Sequence, residues 1–404
     1  MNKPSYNMSK KFKIALFCVL SLGISNPIFA DINVNEVNKK FGINFLQDAN
    51  LWDDSATDYI KRMGAKFSST KVGSKTIHTT YAKGKVLGSE IEQMRVEETS
   101  SKVSQVDLVF FNKGDSVEGK KWTPQLQRKM KEQWDTLEES LNTLAGKSKN
   151  GYWGTGRVKN KAKIWKNQNF AFWLEFKPRE VIILHITPPN ATGENTQKSV
   201  SVTNFDGKTN VKKDDNGDIY IQNIPMVDQG AKGYCVPATI ERVLKYYNIA
   251  DVDMHKIAAV CKTQVGGGTT IDSVMTDFRN VSNSFKLRMA NVGSFSMNAI
   301  AAMIDKGIPI FWTLFSTDEY TKRMLDNSQL RSKEDFNDYM KILKKQDKLS
   351  RKLENAHICL IIGYNKKSKE LAVSNSWGEK FTITWVRFAD AKTVGRNCFV
   401  INPR

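Results

Sequence analysis

A polar segment divides this 404-residue chain into two parts, and the division limits the folds that the chain can adopt. Residues 189–218 contain Gly193, several Ser, Thr and Asn residues, and the run KKDDNG at 212–217. Few of these side chains could be buried, so the segment predicts an exposed linker that is open to proteolysis. The length also suggests two domains. We therefore expect an N-terminal domain over residues 31–188 and a C-terminal domain over residues 219–404.

The composition is that of a globular protein with excess positive charge. Hydrophobic residues make up 40% of the chain, aromatic residues 10% and charged residues 25%. These values exclude a disordered chain, a collagen and a disulfide miniprotein. The 61 Lys and Arg residues outnumber the 42 Asp and Glu residues, for a net charge of +19. Such a charge indicates an anionic partner or surface without identifying it.

Residues 1–30 predict a secretory signal peptide. Lys10, Lys11 and Lys13 precede an uncharged stretch at 14–24 that is too short to span a bilayer, and Ala30 suits a cleavage site. Cleavage would remove four lysines and no acidic residue, which leaves 57 positive against 42 negative side chains and a net charge of +15. We expect a secreted or periplasmic protein without a transmembrane segment after cleavage. The alternative is an uncleaved N-terminal anchor.

The periodicity of the first half predicts an α+β domain. Thr123 suits a helix N-cap, Pro124 the first helical position and Gly146 the helix end. Between them, apolar residues recur every three or four positions, at Leu126, Met130, Trp134, Leu137, Leu141 and Leu144. Strands are predicted at 106–111, 170–176 and 181–186, with a turn at 112–115.

The second half predicts a helix that begins at Cys235, followed by further helical pieces and terminal strands. The strand candidates are 308–314, 358–364, 371–375 and 381–385. Residues 316–354 are highly charged and carry apolar residues at helical spacing, which predicts a helical insertion. Our hypothesis for this insertion is a lid or specificity element over a binding cleft.

Cys235 lies where a nucleophile would be activated. Gly230 and Gly233 allow a tight loop before it, and the predicted helix after it places the thiol at a helix N-terminus. There, the helix dipole and unpaired N–H groups favour the thiolate. Gln229 lies six residues upstream and could donate to an oxyanion together with the Cys235 backbone N–H.

A thiol nucleophile needs a base and a group that orients it. Of the four histidines, His357 begins an apolar strand, and Asn375 follows eighteen residues later in the sequence Asn-Ser-Trp-Gly. A hairpin between the two strands would bring Asn375 beside His357, where its carbonyl could accept from the imidazole. Trp377 would shield that hydrogen bond from water.

This ordered set resembles the papain-like cysteine peptidases. The segment Gly-Tyr-Cys-Val-Pro-Ala-Thr resembles more closely exported bacterial proteins that are similar to double-glycine leader peptidases. The resemblance covers residues 219–404 and implies a helical part plus an antiparallel sheet. It implies that Cys235 is the nucleophile, His357 the base and acid, Asn375 the orienting residue and Gln229 the oxyanion donor of an acyl-enzyme reaction.

The expected substrate is a protein or peptide, contacted by Gly233, Tyr234 and Trp377, and we expect neither a metal nor another cofactor. Two alternatives remain at this stage. A related acyl transferase or amidase acting on cell-wall or peptide amides would use the same residues, and a non-catalytic papain-like binding protein would use the domain as a scaffold. The complete set of four residues argues against the second alternative.

Residues 147–166 carry seven basic residues and no acidic one, with Tyr152, Trp153 and Trp165 among them. This pattern suits an anionic surface or polymer, and the alternative is a solvated face with core aromatic residues. The N-terminal domain could bind a target, inhibit the enzyme as a pro-region, or stabilise it.

The remaining cysteines leave disulfide formation open. Cys18 would leave with the signal peptide, and the proposed role of Cys235 removes it from pairing. A disulfide between Cys359 and Cys398 stays open, although Cys359 also suits core packing. The run Gly-Gly-Gly-Thr-Thr at 266–270 lacks the lysine of a phosphate-binding loop and predicts a turn near the cleft.

Overall fold

The structure, a computed structural model, describes residues 33–48, 50–115, 121–154, 158–193, 202, 205–230, 233–250, 252–265 and 267–404. The predicted signal peptide lies outside these ranges, as do Arg157 of the basic segment and Gly266 of the glycine run. Within them, no helix is both long enough and apolar enough to cross a membrane. We call residues 33–193 the N-terminal region and residues 202–404 the C-terminal region.

The N-terminal region contains three α-helices and ten strands among its described residues. The helices are α1 (Val34–Phe41), α2 (Ala56–Arg62) and α3 (Pro124–Ala145). The strands are β1 (Ser68–Val72), β2 (Lys75–Thr80), β3 (Gly84–Val86), β4 (Ser89–Ile91), β5 (Gln93–Thr99), β6 (Lys102–Asn112), β7 (Lys149–Trp153), β8 (Asn160–Lys166), β9 (Ala171–Lys177) and β10 (Val181–Thr187).

Helix α3 forms as its sequence predicts. The Thr123 side chain accepts a hydrogen bond from the Leu126 N–H, Pro124 occupies the first turn, and Gly146 ends the helix with φ +78°. The buried stripe of α3 joins the core of an antiparallel sheet with the order β1-β2-β5-β6-β10-β9-β8-β7, while β3 and β4 form a separate hairpin. In each strand, every second side chain points toward this core, and β10 is buried on its other face as well.

The C-terminal region combines helices with a second antiparallel sheet. Its helices are α4 (Cys235–Tyr246), α5 (Met254–Val260), α6 (Ile271–Ser273), α7 (Arg279–Ser284), α8 (Met297–Ile304), α9 (Asp318–Lys333), α10 (Phe336–Lys345) and α11 (Phe388–Val394). Its strands are β11 (Val211–Lys213), β12 (Asp218–Ile221), β13 (Leu287–Asn291), β14 (Ile310–Phe315), β15 (Ala356–Asn365), β16 (Glu370–Ser374), β17 (Thr384–Arg387) and β18 (Gly395–Pro403).

Strand β15 organises this second sheet. The order is β11-β12-β15-β14-β18-β13, and β16 pairs with β15 on one side and β17 on the other. His357 on β15 is the register partner of Leu314 on β14, and Leu314 is in turn the partner of Gly395 on β18. Helix α4 packs against β15. The predicted α+β class is confirmed, with a sheet-rich N-terminal region and a C-terminal domain of helices and a half-barrel antiparallel sheet.

Each region has a hydrophobic core of its own, yet residues 32–404 form one compact unit. Part of the predicted linker departs from expectation. Val202 is buried in the C-terminal core, and residues 207–221 form a short 3₁₀ turn and the β11–β12 hairpin, which extends the second sheet. A hairpin can be polar in sequence and still be ordered, because backbone pairing does not depend on side-chain burial. The domain boundaries stay a prediction.

The predicted insertion is helical, formed by α9 and α10, but it packs as a support. Tyr320, Met324 and Tyr339 are buried. Arg331 forms ion pairs with Asp218 and Glu370, and its guanidinium lies 4.2 Å from the centroid of the Trp385 ring. These contacts hold the insertion on the sheet, so the structure does not support its description as a lid.

The four cysteines after residue 30 are free thiols. Cys359 on β15 and Cys398 on β18 are both register partners of Trp312 on the intervening strand β14. Two strand spacings of about 4.8 Å separate them, which exceeds the reach of a disulfide. Core packing therefore accounts for Cys359.

Candidate active site

Cys235 is the first residue of α4, and the loop before it is shaped by close backbone approach. The Gly268 N–H donates to the Gly233 carbonyl at 3.0 Å, and Gly233 and Gly267 form a parallel bridge. A side chain at Gly267, which has φ +99°, would collide with the Gly233 backbone. Gly267 must therefore be glycine for the chain to pass this close to Gly233, two residues before Cys235.

His357 and Asn375 meet as the hairpin between β15 and β16 predicts. His357 Nε2 lies 2.9 Å from Asn375 Oδ1, and the Trp377 ring stacks on the imidazole with centroids 4.4 Å apart. The amide oxygen can only accept, so Nε2 carries the proton and donates it. Nδ1 is then the unprotonated nitrogen, which is the form that a general base requires.

The insertion holds Asn375 from behind. The Asn375 Nδ2 group donates to Met324 Sδ at 3.8 Å, and Met324 lies on α9 with only 1% of its surface exposed. The sequence led to the hypothesis of a lid or specificity element. The buried face of α9 instead supports the residue that orients His357.

Burial lowers the pKa of His357 to about 4, although its hydrogen bond to Asn375 acts to raise it. The imidazole is therefore neutral at pH 7. A charged imidazole would lose hydration here without gaining a negative partner, because Asn375 carries no charge.

Burial also raises the pKa of the Cys235 thiol, against the backbone N–H groups of Ile358, Val236 and Cys235 itself, which lower it. The expectation that the helix N-terminus favours the thiolate is therefore wrong for this structure. The N–H groups act in the expected direction, but the loss of hydration outweighs them. At pH 7 the site holds a neutral thiol beside a neutral imidazole.

Gln229 is held by the segment that follows Asn375. Its backbone N–H donates to the Ser376 carbonyl at 2.9 Å, and its side-chain Oε1 accepts from Ser376 Oγ at 2.7 Å. The bond to Oε1 fixes the orientation of the amide and so the direction in which Nε2 points. Gln229 is only 8% exposed, so this orientation is held by packing as well.

Cys235 and His357 line one cleft of about 500 Å³. Residues 268–272 form the wall on the side of Cys235, so the predicted turn lies at the cleft, and Thr313, Ala356, Arg396 and Asn397 form the wall on the side of the sheet. Sequence reasoning missed Arg396 and Asn397, because only the pairing of β14 with both β15 and β18 brings them to this edge. Arg396 and Asp272 are exposed charged residues of the cleft lining.

The three residues expected to contact substrate have different positions. Gly233 lies against the cleft wall through its bridge to Gly267, and Trp377 is half-buried on the His357 ring. Tyr234 points away from the cleft, with 1% of its surface exposed and its ring packed against Gly114 of the N-terminal region. The side chain of Tyr234 is therefore a support for the loop instead of a substrate contact.

The basic segment does not form one surface. The register places Lys161 and Lys163 on the sheet face that carries the core and α3, and Lys149 and Lys166 on the opposite face. Lys163 also lies 3.4 Å from Glu138 of α3. Trp165 is buried and Tyr152 is half exposed. Alternation along a strand separates charges that are close in sequence.

Residues 221–395 match the family described as Peptidase_C39 like family. Among solved structures, xylellain, a cysteine protease from Xylella fastidiosa, is similar, with 13% identity, a TM-score of 0.26, and coverage of 44% of this chain and 82% of that one. No curated protein gives a significant match. The family match confirms the resemblance drawn from the motifs for residues 221–395, and that family indicates a cysteine peptidase.

Proposed function

We propose that this chain, whose residues 221–395 match the Peptidase_C39 like family, is an exported cysteine peptidase that hydrolyses peptide bonds through an acyl-enzyme. The single observation that carries the proposal is the hydrogen bond from His357 Nε2 to Asn375 Oδ1 under the Trp377 ring, in the same cleft as the Cys235 thiol.

The reaction begins from the neutral pair. His357 Nδ1 takes the proton of the Cys235 thiol as Sγ attacks the substrate carbonyl carbon, and the carbonyl oxygen becomes an oxyanion. The Cys235 backbone N–H and the Gln229 side-chain amide stabilise that oxygen. His357 then gives its proton to the leaving amine as the C–N bond breaks. A water, deprotonated by His357, attacks the thioester and releases the acid and the thiol.

The uncharged partner of His357 suits this role. With Nε2–H directed to Asn375, the imidazole keeps its orientation while Nδ1 gains and loses a proton. The low pKa of His357 means that the base is available at neutral pH, and the raised pKa of Cys235 means that its proton must move as attack occurs. The bond to Asn375 supplies the orientation that a proton relay requires.

The test uses Cys235→Ala with Cys398→Ala as the matched control, since both cysteines are half-buried free thiols. The full chain without residues 1–30 is incubated with casein, and new peptide N-termini are identified. We expect cleavage by the wild-type and Cys398→Ala proteins and none by Cys235→Ala. Equal products from all three proteins would exclude the peptidase, and products that appear only with an added amine would indicate acyl transfer instead.

Export is the second part of the proposal, and it rests on the lysines, the uncharged stretch and the cleavage site of residues 1–30. Expression of the whole chain in a bacterium, followed by N-terminal sequencing of the soluble product, should find Asp31 as the first residue. An intact N-terminus at Met1 in the cytoplasm would contradict it. Attachment to an anionic polymer stays a prediction with weaker support, because the basic side chains at 147–166 lie on two faces.

A further inference from the structure

We infer that the N-terminal region supports the loop that carries Gln229 and Cys235, and that Tyr81 is a positioning residue for Gln229. This inference rests on the proposed function, because it concerns the oxyanion donor of that reaction. We call residues 226–235 the catalytic loop, of which the structure describes 226–230 and 233–235.

Two hydroxyl groups of the N-terminal region donate to carbonyls of the catalytic loop. Tyr81 Oη donates to the Asp228 carbonyl, and Thr70 Oγ1 donates to the Met226 carbonyl at 2.7 Å. The Asp228 carbonyl belongs to the same peptide group as the Gln229 N–H, which in turn donates to Ser376. The peptide before the oxyanion donor is therefore held from both sides, by the N-terminal region and by the segment after Asn375.

The Tyr81 hydroxyl is itself held in place. Gln93 Nε2 donates to Tyr81 Oη at 3.0 Å, and Gln93 Oε1 lies 3.1 Å from His255 Nε2 on α5. Both Gln93 and His255 are buried, with 3% and 2% of their surfaces exposed. A hydroxyl that accepts one hydrogen bond and donates another has a defined direction, so Tyr81 can define the position of the loop.

The end of the catalytic loop next to Cys235 is supported by close packing. Tyr234 directly precedes Cys235, and a side-chain carbon at Gly114 would lie 2.5 Å from Tyr234 Cε1. Only glycine allows this approach. Tyr234 packs with Val227, Ala238 and Met254 in a small cluster that Tyr81 joins from the N-terminal region. The ion pair between Arg95 Nη1 and Asp253 Oδ2, at 2.9 Å, holds the start of α5 beside this cluster.

The contacts with the N-terminal region lie on one side of the catalytic loop, and the cleft lies on the other side. The described residues that line the cleft all fall between 235 and 397. The N-terminal region thus contacts Gln229 and Cys235 through their neighbours and leaves the Cys235 thiol open to the cleft. Of the three roles that the sequence left open for this region, the geometry favours support over an inhibitory pro-region.

The test is Tyr81→Phe in the full chain without residues 1–30, which removes one hydroxyl and little volume. The peptide before Gln229 then keeps its bond to Ser376 and loses the one from Tyr81, so the Gln229 amide shifts relative to the oxyanion, which forms only in the transition state. One oxyanion donor contributes about 10² to 10³-fold to kcat, so partial misplacement should lower kcat about tenfold and leave KM unchanged. A rise in KM with unchanged kcat would overturn the inference.

Tyr59→Phe is the matched control. Tyr59 is fully buried in the core of the same region, and its hydroxyl has no hydrogen-bond partner among the described residues. Removing that hydroxyl should leave kcat and KM at wild-type values. A tenfold fall in kcat for Tyr59→Phe as well would show that any change in this region acts through general stability, and would overturn the role of Tyr81.

A double-mutant cycle separates positioning from stability. In a Gln229→Ala background, Tyr81→Phe should cause no further loss of kcat, because the donor it positions is absent. A full additional tenfold loss would overturn the inference.

Hydrogen exchange of the peptide covering 226–235 provides a readout without turnover. We expect faster exchange in Tyr81→Phe than in the wild-type and Tyr59→Phe proteins, and unchanged exchange would overturn the inference. If the wild-type protein lacks Cys235-dependent cleavage, the proposed function fails, while the exchange result still decides whether Tyr81 holds the loop.

Discussion

His185 in the N-terminal region and His357 in the C-terminal region are histidines whose pKa values shift in opposite directions. His185 has 1% of its surface exposed and lies between Asp107 Oδ1 at 2.8 Å and Glu175 Oε2 at 2.7 Å. Burial acts to lower its pKa, but the two carboxylates outweigh burial and raise it. His357 is half-buried, has the neutral partner Asn375, and has a lowered pKa.

In these two sites, the charge of the partner decides the protonation of the histidine more than the depth of burial does. Between two carboxylates, and stacked on Trp153 at 4.1 Å, the His185 imidazole is held as a cation that compensates the buried charges of Asp107 and Glu175. Beside an amide, the His357 imidazole stays neutral and can accept a proton. The more buried histidine is the charged one because its charge is compensated.

Replacing the two histidines should have very different effects on activity, and the loss at His357 is the greatest change that we expect. Replacing His357 by Gln should lower kcat/KM about 10⁴-fold or more, since the base and acid of both half-reactions are lost. Replacing His185 by Gln should leave the activity of the folded protein near the wild-type value, because that side chain does not line the cleft. Casein cleavage by both variants, at equal concentrations of folded protein, measures this. Comparable losses of activity in both variants would contradict the assignment of catalysis to His357 alone.

Replacing the two histidines should also have different effects on the free energy of unfolding. His185→Leu should lower the free energy of unfolding by about 3 to 5 kcal/mol, because Asp107 and Glu175 then remain buried with less compensation. His357→Leu should change it by less than about 1 kcal/mol, since no charge loses its partner. Urea denaturation followed by tryptophan fluorescence provides the measurement. The interpretation of His185 as a stabilising cation fails if its replacement costs no more than that of His357.

The pH dependence of stability should run in opposite directions for the two. His357 has a folded pKa of about 4 against about 6.5 when unfolded, so the unfolded chain binds more protons as pH falls through this window. The wild-type protein should lose up to about 3 kcal/mol there, a loss that His357→Gln removes. His185 has a raised folded pKa, so its stabilisation is complete below pH 6.5 and is lost as pH rises through that raised value.

Denaturation curves of the wild type and both Gln variants, collected from pH 4 to pH 9, test this. The difference curve for His357 should change on the acidic side of pH 6.5, and the one for His185 on the alkaline side. If both difference curves change on the same side of pH 6.5, the charge of the hydrogen-bond partner does not determine the direction of the histidine pKa shift.

A smaller change in the pH dependence of activity is expected when His357 is given a carboxylate partner like those of His185. Asn375→Asp gives His357 a negative partner, which should raise its pKa by about one to two units. The acid limb of kcat/KM, expected near pH 4 from the pKa of His357, should rise by the same amount. Asn375→Ala serves as the control, with a lower rate and an acid limb that does not move upward. An unchanged limb in Asn375→Asp would contradict the link between partner charge and pKa.

Much of the fold and of the candidate site was predictable from local pattern. The cap, proline and apolar stripe of α3 define that helix within its own sequence, and short-range hairpin geometry is sufficient to pair His357 with Asn375. Such features depend on residues that are close in sequence, so they can be predicted from the sequence pattern.

The polar residues at 207–218 and the charged insertion were harder to interpret. Their contacts form with strands and loops distant in sequence, as between Arg331 and Asp218. Sequence polarity therefore predicted an exposed linker and led to the hypothesis of a lid or specificity element, whereas the structure has an ordered hairpin and a packed pair of helices.

The order and spacing of Gln229, Cys235, His357 and Asn375 are read directly from the sequence, and local pattern is sufficient to predict the helix of Cys235 and the strand of His357. The protonation of Cys235 and His357 depends on the tertiary fold, since burial by distant segments raises the pKa of the thiol and lowers the pKa of the imidazole. The tertiary fold also decided that Tyr81 reaches the Asp228 carbonyl, 147 positions away. Hydration and long-range contact depend on how the whole chain packs, and no local pattern encodes them.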